Sequence, residues 1–162
     1  MRLFRVDNNI QGMVLFADDV RNEIHGKTSI MGLLGNDIDV SGEREITNLH
    51  CVVLINARCP RLLLEGSIEV TGVSDDYRQP GPLKLDVPID ETESATSIQI
   101  VAKIRPFELG DEPVFVKVGV SANGSPITGD LKISWVRSDS TAPASPPRRI
   151  PKRKGKVTSR RG

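Results

Sequence analysis

The tripeptide Gly26-Lys27-Thr28 imitates the end of a phosphate-binding loop, in which backbone amides cradle phosphates and a lysine meets their charge. That motif needs a glycine five places before Gly26, where Arg21 stands, and a helix after it, where Ser29-Ile30-Met31 has strand character. The tripeptide therefore reads as a turn opening a strand. His50 and Cys51 are neighbours, so in a strand they point to opposite faces and cannot share an ion. His25 sits beside a turn glycine, and no paired His or Cys spacing suggests zinc. No Gly-x-Ser-x-Gly elbow is present to expose a nucleophile. The residue types point away from an enzyme, with no catalytic residues, no metal and no cofactor expected. Asp37 with Asp39, Asp75-Asp76, and Asp90-Glu91 with Glu93 are carboxylates of the kind Ca²⁺ uses, but none follows an ordered loop pattern. They read as solvated acids, with a calcium-dependent membrane-binding sandwich kept as an alternative.

The strongest functional signal is electrostatic. The 22 bases and 21 acids nearly cancel, but eight bases and no acid fall in residues 141–162. These are Arg148, Arg149, Lys152, Arg153, Lys154, Lys156, Arg160 and Arg161, a charge of +8. The rest of the chain keeps 14 bases against 21 acids, or −7. A basic arm of this kind engages polyanions such as nucleic acid. Without an aromatic residue it cannot stack on bases, so it would bind backbone charge and read no sequence. The same segment also reads as a solubilising extension.

A second cluster, Asp18, Asp19, Arg21, Glu23 and Lys27, is the densest charged group of the patterned stretch from Ala17 to Gly35. It reads either as an ion-paired, solvated loop shaping the first hairpin or as a partner-binding lip at one end of the domain.

The elements that must carry these groups are strands. Ile10 to Ala17 reads as strand, Asp18 to Glu23 as loop, and Lys27 to Leu34 as a returning strand that continues through Ile38 to Val40 after a turn at Gly35-Asn36. Ser41 to Thr47 is loop. Leu49 to Ala57 is apolar on both faces and suits a central strand. Leu62 to Gly72 alternates, with Leu62, Leu64, Ile68 and Val70 inward. Val73 to Pro82 is loop, Leu83 to Ile89 a short strand, and Asp90 to Ser94 an acidic turn. Ile98 to Ile104 is strand and Pro106 to Pro113 loop. Val114 to Val120 and Ile127 to Trp135 form a hairpin about Asn123-Gly124, the clearest turn signal in the chain. Trp135, the one tryptophan, falls on the inward face as a core anchor.

About eight short strands without a helical period predict an all-β, antiparallel sandwich of Ig-like or C2-like Greek-key type over residues 1–137. Residues 138–162 form a Pro/Ser-rich linker and basic tail too poor in apolar residues to order itself. Two cysteines are too few for a disulfide framework. Eight residues of extended chain would hold Cys51 and Cys59 about 26 Å apart, far beyond the ~7 Å a bridge spans. No run approaches the about 18 apolar residues of a membrane span, and the N-terminus lacks a signal-peptide core, which points to the cytoplasm.

The segment Asp18-Asp19-Val20-Arg21-Asn22-Glu23 followed by Gly26-Lys27-Thr28-Ser29-Ile30-Met31-Gly32 resembles an uncharacterised family of small bacterial proteins that open with D-D-V-R-x-E and G-K-x-S-x-x-G. The resemblance implies a single β-sandwich closed by a C-terminal hairpin, for which Val114 to Val136 qualifies. It covers about twenty residues closely, the rest only as a pattern, and lends no catalytic residue. The reading that follows is a non-enzymatic interaction module: the sandwich docks a protein partner and the tail contacts nucleic acid or another acidic surface. A phage-type or assembly structural component anchored through its tail is the other class.

Overall fold

The computed structural model describes residues 4–6, 9–23, 27–89 and 96–137. The acidic turn at Asp90 to Ser94, His25, Gly26 and every basic residue of the tail lie outside the described residues.

Two five-stranded sheets pack face to face, and the described residues include no helix. Sheet I contains β1 (Phe4–Val6), β2 (Ile10–Asn22), β3 (Thr28–Leu34), β6 (Leu49–Ala57) and β9 (Thr96–Ile104), with β1 and β3 both pairing to β2. Sheet II has the order β4 (Asp37–Val40), β12 (Ser125–Trp135), β11 (Val114–Ala122), β7 (Arg61–Thr71) and β8 (Leu83–Pro88). Two dipeptide strands, β5 (Glu45–Ile46) and β10 (Phe107–Glu108), pair across one end. All pairings are antiparallel except β4 beside β12.

Alternation builds the core. Leu49, Cys51, Val53 and Ile55 of β6 meet Leu62, Leu64 and Val70 of β7 and Val114, Val116, Val118 and Val120 of β11 in one apolar cluster. The sheets approach most closely where β2 crosses β12. There Gly12 lies under Ile127 and Gly129 under Val14, and an added Cβ would meet the facing side chain at 2.3 and 2.5 Å respectively. The β11–β12 hairpin turns on Asn123 (φ 49°) and Gly124 (φ 84°), the left-handed pair that matches strand twist. Asn123 also reaches sideways: its Oδ1 accepts from Leu63 N at 2.7 Å and its Nδ2 donates to the Arg61 carbonyl at 3.0 Å. The tip is thereby tied to β7.

Four expectations are corrected. First, β2 does not stop at Ala17 but runs to Asn22, because β3 pairs with it over Phe16 to Asn22 and satisfies its backbone. Second, the chain does not continue one strand past Gly35-Asn36. It changes sheet there, β4 lying parallel to β12 with Lys132 N donating to the Asn36 carbonyl at 2.8 Å. Third, Ser41 to Thr47 and Pro106 to Pro113 are not simply loops, since β5 and β10 close the end over buried Phe107 and Leu109. Fourth, Trp135 packs against the core cluster from the inward face, as expected, but is only half-buried, at the rim. Its Nε1 donates to the Gly42 carbonyl at 3.3 Å and the Arg44 guanidinium lies 3.9 Å from the ring centroid. Position 135 is the last residue of β12.

Candidate functional site

The outer faces of the two sheets differ in kind. On sheet II, cross-strand rows carry opposite charges. Lys84 pairs with Glu65 at 3.0 Å and Lys132 with Asp37 at 3.1 Å. Arg61 clasps Asp86 on the neighbouring strand, which holds the Asp86 carboxyl below its usual range and raises Arg61. Lys117 stands in register between Glu69 and Asp130. Leu63 and Phe115, 49% and 41% exposed, stand apart at opposite ends of this face, and between them it is charge-paired.

Sheet I is apolar on its outer face as well as its inner one. The register aligns Leu15, Val52 and Val101 in one row across β2, β6 and β9, and Met13 with Leu54 in the next. Val52, at the centre, is wholly enclosed by its neighbours. Leu33 and Met31 of β3 extend the patch and are the more open, at 62% and 47% exposure, while Val101 is 42% exposed. Polar groups ring it. Asn56 accepts from Ser97 Oγ at 2.5 Å on one side, with Gln99 opposite Leu54 in the row next to them, and His50 and Lys103 stand on the other. His50 Nδ1 is buried with no hydrogen-bond partner among the described residues. An apolar centre with a polar rim is the anatomy of a protein-binding surface, and contiguous exposed apolar surface of this kind marks interaction sites.

The charged cluster adjoins this face on a two-stranded ribbon. Beyond Ala17, β2 leaves β6 and is paired only with β3 among the described residues. Asp18, Asp19 and Arg21 gather with Met31, Gly32 and Asn48 around a recess of about 570 Å³. Arg21 Nε donates to Asp19 at 2.5 Å. Asp18 lies over Gly32, whose φ of +58° and missing side chain make room for the carboxylate. Glu23 and Lys27 sit at the far end, joined through Glu23 N and the Lys27 carbonyl at 2.7 Å, with Glu23 also taking the Ser29 hydroxyl. These residues are thus brought together, but on strands and at a strand end, not in a loop. The ladder that orders them was invisible to a reading by hydrophobicity, because both faces of the ribbon have left the core.

A cleft of about 840 Å³ opens at the end closed by β5 and β10. Tyr77 packs edge-on against Phe107, ring centroids 6.2 Å apart, and burial pushes its hydroxyl pKa up against the opposing pull of Arg105. Arg44, Arg78 and Arg105 line it together with Glu43, Glu45, Asp76 and Glu108. Arg44 is held by Asp111 at 3.1 Å and by Trp135. Three arginines against four carboxylates give this cleft a mixed lining.

Cys51 is free and buried, and its thiol pKa is pushed up to about 12 by burial, which disfavours the thiolate. Cys59 is free and half-buried. Among the described residues no group of three or more His, Cys, Asp and Glu side chains gathers to hold a metal. Asp37, one of the acids weighed for calcium, is taken by Lys132. No helix among the described residues is long and apolar enough to cross a membrane. In comparisons with known proteins, no family model matches this chain and no curated protein is significantly similar to it.

Proposed function

We propose that the chain is a non-enzymatic interaction module whose sandwich docks a protein partner through the outer face of sheet I, and whose basic tail engages nucleic acid or another acidic surface. The observation that carries the docking face is the apolar row Leu15, Val52 and Val101 with Leu33 and Met31 beside it, set against a charge-paired outer face on sheet II. The ribbon bearing Asp18, Asp19, Arg21, Glu23 and Lys27 adds a charged margin that selects among partners. The tail enters by its composition alone: eight bases on an arm joined to a body of charge −7. The likeness of Asp18 to Gly32 to the uncharacterised bacterial family supports the sandwich and adds nothing about the partner.

The test compares full-length protein, a 1–140 truncation, and a Leu33→Glu, Val101→Glu double variant in capture experiments with and without nuclease. Partner capture is lost in the double variant and kept by the truncation, while nucleic acid is recovered only with full-length protein. A double variant that still melts cooperatively and captures the same proteins refutes the docking face. For the arm, eight phosphate contacts on duplex DNA set a ceiling of about −7 on the slope of log K against log salt. Equal DNA binding by full-length and truncated protein refutes the arm.

A further inference from the structure

Sheet I is one strand narrower than sheet II on one side. With β2 lying across β12, sheet II continues through β11, β7 and β8, whereas among the described residues sheet I continues through β6 and β9 only. The inward side chains record the shortfall. Leu62 and Leu64 of β7 are fully buried. Leu83, Leu85 and Val87, their counterparts on β8, are part-exposed, Leu85 by 40%. Ile98, Ile100 and Ala102 of β9 are likewise only half-buried. Among the described residues an apolar shelf is left beside β9 from Ser97 to Ile104.

Among the described residues nothing guards the β9 edge from Ser97 to Ile104. Proteins protect edge strands with charge, proline, bulges or cover, and this chain does so elsewhere. The edge strand β8 has Lys84, Asp86 and Pro88. β3 is kinked by Gly32 at φ +58°. Where β8 stops short of the end of β7, the Gln79 amide stands in for a strand, accepting from Val70 N at 2.8 Å and donating to the Val70 carbonyl at 2.5 Å. From Ser97 to Ile104, β9 has one charge, Lys103, no proline and no glycine, and among the described residues it pairs with β6 alone.

We propose that the β9 edge accepts an extended segment of a partner protein as an added strand, with the segment's inward side chains covering Leu83, Leu85 and Val87. This rests on the reading of the chain as an interaction module and supplies a mode of binding: main-chain ladder bonds for affinity, alternate side chains for selection. A second copy fits badly, because pairing β9 with its own counterpart would bring the second molecule's β7 and β8 onto the place that β8 holds. The chain's own tail fits badly too, since Pro143, Pro146, Pro147 and Pro151 interrupt it and proline gives no donor to a ladder. The fitting segment is a proline-free strand of about five residues or more, apolar at every second position.

The probe is a synthetic nine-residue peptide of alternating valine and threonine with a lysine at each end, added to full-length ¹⁵N-labelled protein. Hydrogen exchange at every second amide of β9 slows about tenfold at a peptide concentration ten times its Kd. The same peptide N-methylated on its pairing edge has no effect. Leu33→Glu leaves the peptide effect unchanged, so failure here and failure of the docking face are separate results. Three results overturn the proposal: no slowing at β9 with millimolar peptide, slowing that follows protein concentration without peptide, or peptide-induced shifts confined to Met31 and Leu33.

Discussion

Gly129→Ala probes the contact on which the alignment of the two sheets depends. The new Cβ would lie 2.5 Å from Val14 Cβ and 2.6 Å from its Cγ1, about 0.9 Å short of the 3.4 Å at which ordinary contact begins. Val14 is buried and β-branched, so it cannot swing clear. Neither strand yields alone, since β2 is held between β6 and the β1/β3 edge, and β12 between β4 and β11. The sheets must part locally, an overpacking cost of about 1–3 kcal/mol. The control is Gly119→Ala on β11, where the nearest atom to the new Cβ is Ser67 Oγ at 4.0 Å. Without a clash, replacing glycine restricts the unfolded chain and stabilises by about 0.4–1 kcal/mol. The two variants therefore move in opposite directions, and at about 4 °C per kcal/mol for a body of this size Gly129→Ala lowers Tm by about 4–12 °C. Urea melts followed by the single tryptophan measure both, and adding Val14→Ala to Gly129→Ala recovers part of the loss as a coupling energy. If Gly129→Ala is as stable as Gly119→Ala, the sheets do not meet at this crossing, and the strand deficit beside β9 falls with it.

Other outcomes follow from the same packing. In native protein at pH 8 a thiol reagent modifies Cys59 and not Cys51, and urea releases the second thiol; early loss of Cys51 refutes its burial. Because burial raises the Cys51 pKa from 9.0 to about 12, the folded chain holds a proton that the unfolded chain loses in that window. Stability therefore falls as pH rises from about 9 to 12, and Cys51→Val flattens that fall in urea midpoints. Asn123→Ala removes both hydrogen bonds to β7 and places alanine at φ 49°, costing about 1–3 kcal/mol; a change below about 0.5 kcal/mol means the tip is not tied there. Trp135→Ala costs about 2 kcal/mol, less than removal of a fully buried ring, because the side chain is half-buried. An effect of about 4 kcal/mol would restore it to the core.

What the sequence determined by itself is local. Alternation at Leu62 to Val70, Ile98 to Ile104 and Val114 to Val120, the two-sided apolar run Leu49 to Ala57, and Asn123-Gly124 were enough for the strands, the hairpin and the all-β class. Each signal lies within one strand or turn, and side-chain period and turn chemistry need no partner to be read. The tertiary structure decided everything that depends on which strand lies beside which. Asp18 to Asn22 are strand because β3 pairs with them, though their side chains look like loop. Ile38 to Val40 joined the opposite sheet because β12 offered a free edge. Phe107 and Leu109 became core only when β5 and β10 met across 61 residues of chain, as Ile46 pairs with Phe107. The candidate docking face has the same origin. Leu15, Val52 and Val101 come from three strands far apart in sequence, and only the register sets them in one row. Register and sheet membership are set by non-local pairing, and no single strand's pattern contains them.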